Sequence, residues 1–284
     1  MLDRTAVLLD TKVAVVTGGG GGIGRSISET FAAHGAAVVV AEREARSCEE
    51  TVAGIEARGG RALAQVVDVE DAEQVAALTR ATLDAFGQVD VLVNNVGHYI
   101  GARPFLKTSE KDWEALYSVN LRHVFRCCHA IAPHMVERGS GSIINVSTIE
   151  AFRGIPNCAV YAAFNSGITG FTKSLALELG PHQIRVNAIA PETTETPQVP
   201  VSAMIPESRR HMFPYWTPLG RFGTPDDMAG AALFLASQLS AWVTGTTIHV
   251  DGGALAAGGF YRIQERGHWT NMPIVTGGGN IPEG

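Results

Sequence analysis

Short runs of branched apolar residues recur through the first 250 positions, each followed by a longer stretch with apolar residues three and four apart. The runs are Val13–Thr17, Ala37–Ala41, Ala62–Val67, Val89–Asn94, Ser142–Val146, Ile184–Ile189 and Thr247–Val250. Their hydrophobicity is nearly continuous rather than alternating, the pattern of strands covered on both faces. The segments between them include Ile23–His34, Asp71–Phe86, Lys111–Arg138 and Ala159–Leu179, which carry the spacing of amphipathic helices. This alternation predicts one α/β domain: a doubly wound parallel sheet with right-handed crossovers and helices on both faces. The domain is expected to span residues 1–253.

Two stretches depart from the rhythm. Residues 191–223 form a long segment punctuated by proline and glycine, with Met204, Met212, Phe213, Tyr215 and Trp216 within it. A loop of this length in a compact domain reads as a lid, either over an apolar substrate or packed on itself. Residues 254–284 form a glycine-rich extension bearing Phe260, Tyr261 and Trp269. Those aromatics favour docking on the body or on a neighbouring subunit over a disordered end.

Composition narrows the function classes. The 284 residues include 22 Lys and Arg against 28 Asp and Glu, a net charge of −6. That balance argues against a nucleic-acid partner, because a phosphate-backbone binder needs a basic surface. Cys48, Cys127, Cys128 and Cys158 show neither CxxC spacing nor pairing with His. No zinc site, other metal site or disulfide framework is expected, and Cys127 and Cys128 read as core or interface residues. No run approaches the ~20 apolar residues of a membrane span, so no membrane partner and a cytoplasmic location are expected.

The chemistry begins where the first strand ends. Thr17 is followed by Gly18, Gly19, Gly20, Gly21, Gly22, Ile23 and Gly24, and a helical pattern starts at Ile23. Glycine supplies the unusual backbone angles of a tight turn, and its missing Cβ lets the chain approach a pyrophosphate at a helix N-terminus. The similar letters Ile274–Gly279 have no helix after them and read as tail. The second strand leads into Glu42, placed to accept hydrogen bonds from ribose hydroxyls and to repel a 2′-phosphate. Arg43 is the opposing signal, since it could pair with that phosphate. Position 21 is Gly rather than a basic residue, so NAD(H) is favoured over NADP(H). Asp68 follows the third strand, either facing the adenine or capping the helix that begins near Asp71.

Over residues 10–253 the chain resembles the short-chain dehydrogenase/reductase family. The resemblance is carried by Thr17-Gly18-x3-Gly22-Ile23-Gly24, Asn94-Asn95-Val96-Gly97, Asn120 in Ser118–Leu121, Tyr161, Ile184–Asn187 and Val250–Gly253. It implies a Rossmann-like domain with a seven-stranded parallel sheet, a nicotinamide cofactor and a homotetramer. Apolar positions beyond one helix face in 111–138 and 159–179 suit burial between subunits. The cofactor residues implied are Gly18, Gly22, Ile23, Gly24, Glu42, Arg43, Asp68, Val69, Asn95, Val96, Gly97, Tyr161, Asn165, Pro191, Thr194 and Thr196. A weaker likeness, in Val96, Cys127-Cys128-His129 and Thr194–Pro197, is to dihydrodiol dehydrogenases of aromatic catabolism.

The family's active site uses Ser, Tyr, a Lys four residues after the Tyr, and Asn. Tyr161 and Asn120 occupy their positions; Thr148 stands at the serine position, with Ser147 beside it as a stand-in; and Asn165 stands at the lysine position. An ammonium about 4 Å from a phenol favours the phenolate by ~4 kcal/mol at an effective dielectric of 20, or roughly three pKa units. Asn165 carries no such charge, though its amide can still meet ribose hydroxyls. Pro191-Glu192 also replaces the family's Pro-Gly.

The expected activity interconverts a secondary alcohol or diol and a ketone on a small apolar or cyclic substrate. Tyr161 exchanges the proton, Thr148 holds the oxygen and Asn120 places water or backbone in the proton path. His98 and Tyr99 are candidates to line the pocket. One alternative keeps the nucleotide but has lost hydride transfer because of Asn165. Another moves the base to Glu192.

Overall fold

The computed structural model describes residues 3–263 and 268–270. Each apolar run becomes a strand: β1 (Val13–Thr17), β2 (Ala37–Glu42), β3 (Arg61–Val66), β4 (Val91–Asn94), β5 (Gly141–Val146), β6 (Ile184–Pro191) and β7 (Thr247–Val250). They form one parallel sheet in the order β3-β2-β1-β4-β5-β6-β7.

Alternate residues of each strand feed two cores, as the pleat requires. On one face Val15, Val39, Leu92, Ile143 and Val186 pack against α3 (Ala72–Phe86), α5 (His123–Arg138) and α6 (Ala159–Leu179). On the other, Val16, Val38, Val93, Ile144 and Ile189 pack against α1 (Gly22–Ala33), α2 (Ala45–Ala57) and α9 (Pro225–Ala236). Cys127 and Cys128 lie in the first of these cores, and burial pushes the Cys128 thiol up to about 12.

One polar thread crosses the apolar interior. Asn94 of β4 donates to Asn145 Oδ1 of β5 at 2.9 Å, and Asn145 donates to Thr172 Oγ1 of α6 at 2.9 Å. A buried amide needs such partners because an unmade hydrogen bond costs its full desolvation.

The structure departs from the sequence reading in four places. The expected helix 111–138 is two helices, α4 (Glu110–Tyr117) and α5, joined by a π-helical turn over Ser118–Arg122. Ser109 starts α4 with a capping box to Asp112. The lid 191–223 holds short helical pieces: α7 (Val201–Met204), a 3₁₀ turn (Glu207–Met212) and α8 (Phe213–Trp216). Asp68 does not cap α3; Asp71 does, accepting from Glu73 N and Gln74 N. Beyond β7, α10 (Ala254–Ala257) is followed by two paired antiparallel strands, β8 (Tyr261–Ile263) and β9 (His268–Thr270). β8 lies against α8. Ile274–Gly279 falls outside the described residues. No helix among those described is long and apolar enough to cross a membrane.

Phe31 is fully buried between α1 and the sheet. Phe31→Ala is expected to lower unfolding free energy by about 3–5 kcal/mol, measured by urea denaturation.

Candidate active site

The sheet order reverses between β1 and β4, so the chains leaving these strands diverge and open a crevice at the carboxyl edge. The glycine turn forms its floor. Gly18 and Gly22 adopt φ of 63° and 49°, angles that a residue with a Cβ rarely takes. A Cβ on Gly24 would sit 2.0 Å from the Gly18 carbonyl oxygen, so no side chain fits there. The first N–H groups of α1 have no side-chain cap, and Gly21 faces open space. Free donors at a helix start, beside a turn without side chains, suit a pyrophosphate.

The surroundings brace this turn. Asn95 donates through its amide to the carbonyls of Thr17 (3.0 Å) and Gly18 (3.4 Å), while its backbone N–H meets Thr17 Oγ1 at 3.0 Å. Val96 packs beside Gly18, and Thr196 approaches Gly22 from across the crevice. Gln198 of the lid reaches the Gly97 carbonyl at 3.4 Å. At the end of β2, Glu42 accepts from Gly20 N at 3.2 Å on one oxygen and from Arg43 N at 2.8 Å on the other. Its carboxylate is thereby fixed beside the turn, whereas Arg43 is exposed. Asp68 accepts from Glu70 N at 2.9 Å, and Val69 is buried in the core.

The second cluster collects at the ends of β5 and β6. Thr148 Oγ1 donates to the Pro191 carbonyl at 3.4 Å, and its hydroxyl neighbours the Tyr161 phenol. Burial pushes that phenol up to about 12; the Thr148 hydroxyl opposes this, and the Glu150 carboxylate reinforces it. The neighbouring Ser147 donates instead to the Asn165 carbonyl at 3.1 Å, tying β5 to α6. Asn165 is buried, and its amide donates to the Tyr161 backbone carbonyl at 3.0 Å.

Asn120 sits on the π-helical turn and holds the backbone of His98 from both sides. Its Oδ1 accepts from His98 N at 3.0 Å, and its Nδ2 donates to His98 O at 2.9 Å. His98 stacks on Tyr99, and Tyr99 shares with Tyr161 a recess of about 30 Å³. A wider cavity of about 450 Å³ lies beside the lid, bounded by Glu192, Thr217, Leu219, His249 and Asp251.

Glu192 is not a free carboxylate. Its Oε2 accepts from Arg153 Nη2 at 2.7 Å, and its Oε1 accepts from Trp216 Nε1 at 2.9 Å and Thr193 Oγ1 at 3.0 Å. Arg153 also forks onto Glu150 at 2.8 and 3.2 Å. Arg153 and Glu150 were not singled out from the sequence. Their signal was an acid and a base three residues apart just after Thr148, a spacing that pairs on one helical turn.

The described sequence pattern named Enoyl-(Acyl carrier protein) reductase matches residues 18–254. A 3-oxoacyl-(acyl-carrier-protein) reductase of Thermotoga maritima is 38% identical over 245 residues, covering 86% of this chain and 98% of the relative. A 3beta-hydroxysteroid dehydrogenase of Eggerthella lenta is 40% identical over 254 residues, covering 89% and 97%. A solved 7 alpha-hydroxysteroid dehydrogenase, complexed with NADH and 7-oxo glycochenodeoxycholic acid, superposes with a TM-score of 0.84 at 34% identity, covering 89% of this chain and 98% of that one. The chain belongs to the short-chain dehydrogenase/reductase family. It is an oxidoreductase of that family.

The Gly24 contact yields a direct check. Gly24→Ala should abolish the thermal upshift given by NADH, read by differential scanning fluorimetry, because the turn must open to admit the methyl group.

Proposed function

We propose that the protein is an NAD(H)-dependent oxidoreductase interconverting a secondary alcohol or diol and its ketone on a small neutral, apolar or cyclic substrate. The observation that carries this reading is Tyr161 and Thr148 brought together at the same sheet edge as the uncapped glycine turn. The turn and α1 hold the pyrophosphate. Glu42 receives the ribose hydroxyls and disfavours a 2′-phosphate, which selects NAD(H). Thr194, Thr196 and Pro191 border the nicotinamide end, and Asn165 takes the family's lysine position. When bound, the cofactor supplies or accepts the hydride at the substrate carbon.

The protein's own residues manage the proton. In reduction, Thr148 donates a hydrogen bond to the carbonyl oxygen and Tyr161 delivers the proton as the oxygen gains negative charge. In oxidation, Tyr161 must first be a phenolate to take the hydroxyl proton. Asn120 fixes the His98–Tyr99 wall that faces the reacting groups.

The direction of the Tyr161 shift sets the pH behaviour. With the phenol pushed up to about 12, the proton donor for reduction is fully present across neutral pH, so that rate is expected to be level there. The phenolate fraction grows about tenfold per pH unit below the pKa. Oxidation should therefore climb with a slope near +1 in log kcat against pH from 7 to 10.

Two variants test the assignment. Tyr161→Phe should reduce both directions at least a hundredfold, the usual scale of a general acid–base contribution (~10²–10⁴). Asn165→Lys should raise oxidation at pH 7 by about tenfold and move its rise to lower pH. An unchanged profile in Asn165→Lys overturns this account of the tyrosine. Tight NADH binding without turnover on a broad alcohol and ketone panel returns the chain to nucleotide binding alone. Replacing Glu42 with Ala should narrow the preference for NADH over NADPH, measured as a ratio of kcat/KM.

A further inference from the structure

The lid is pinned by Glu195 N to the Gly223 carbonyl at 2.9 Å, Leu219 N to the Gly252 carbonyl at 3.1 Å and Gln198 at Gly97, and its own helices add little. Between Pro191 and Gly223 its helices α7 and α8 are four residues each, far below the length at which a helix is stable alone. Phe213 and Phe222 make an edge-to-face contact at 4.5 Å at its base. Besides the Thr148–Pro191 contact at its first residue, a carboxylate ties it to the catalytic loop.

That carboxylate is Glu192, whose side chain is 4% exposed. It stands directly after Pro191, the residue whose carbonyl Thr148 contacts. One oxygen is committed to Arg153, which is itself forked onto Glu150 in the loop that follows Thr148. The Glu150 N–H returns to Thr148 Oγ1 at 3.3 Å. The other oxygen accepts from Trp216, the last residue of α8.

We infer that Glu192 is a positioning residue for substrate binding, latching the lid through Trp216 onto the Thr148 loop through Arg153 and so setting the closed position of the pocket roof. This rests on the oxidoreductase reading above.

The two arms of the latch differ in a way that suits opening and closing. The Arg153 arm joins groups that are mostly out of water, where parting the charges leaves one of them uncompensated. The Trp216 arm ends on an indole that is 54% exposed, so water can satisfy its N–H once the lid lifts. The latch therefore opens at the tryptophan and stays anchored at the arginine. β8, which follows the family-matched residues, lies against the same α8. β8 thus bears on the moving side of the latch.

The experiment uses the full chain and two readouts. Arg209 and Arg210 are exposed in the lid, so the rate of tryptic cleavage after them reports lid opening without any substrate. Steady-state kinetics then separate KM for the carbonyl substrate from KM for NADH. Trp216→Phe removes only the mobile arm; Glu192→Gln keeps the size but sets an amide donor against Arg153 or the indole. Both variants are expected to raise lid cleavage about tenfold and substrate KM about tenfold, with KM for NADH unchanged. The double variant should add little beyond either one, since both cut the same tie. Should Glu192→Gln fail to fold, Trp216→Phe alone decides. Unchanged cleavage in Trp216→Phe overturns the latch, and raised cleavage with unchanged substrate KM overturns its role in binding. Absence of turnover by the unsubstituted protein sinks the oxidoreductase reading instead, and is told apart because cleavage is measured without substrate.

Discussion

The contact between Gly24 and the Gly18 carbonyl governs the nucleotide end of this protein. The space there is too small for any side chain, and that closeness brings the start of α1 up against the end of β1. Both consequences follow from one constraint: the helix begins without a cap, and the turn offers bare backbone N–H groups to the crevice. Everything else at this end is support. Asn95 fills the hydrogen-bonding needs of the turn from β4, and Glu42 fixes it from β2.

The reacting end obeys a different balance. Tyr161 is half-buried, with an acid rather than a base among the charges acting on it. Desolvation and the Glu150 carboxylate both favour the neutral phenol. The Thr148 hydroxyl works the other way without reversing them. In the proposed mechanism a phenol so held gives up its proton more readily than it takes one, which places the burden of oxidation on high pH. Glu192 does not relieve that burden, because both of its oxygens are already committed to donors.

Much of the fold could be read from hydrophobic spacing alone. β1 and β7 begin and end where the apolar runs do, as does α6. The π-helical turn at Ser118–Arg122 was not legible, since one extra residue in a turn leaves the three-and-four spacing on either side intact. α2 shows the helical spacing most faintly, because its polar face dominates: of Ala45–Ala57 only Cys48, Thr51 and Ile55 are buried. The site was legible where backbone demands glycine or where a motif names a residue. It was not legible where a side chain's role depends on its neighbours. Ser147 and Thr148 are adjacent hydroxyls with the same chemistry, and only packing turns one to the Asn165 carbonyl and the other to the Pro191 carbonyl, beside the phenol.

The thread of amides through the core has a consequence for chemistry some distance away. Apolar faces tolerate sliding, because one methyl group packs nearly as well as the next. A donor and an acceptor do not, and Asn145 fastens α6 at Thr172. Tyr161 lies eleven residues earlier on that helix, about 16 Å along its axis. The height of the phenol above the sheet is thus indexed from the middle of the molecule, like a ruler pinned at one graduation.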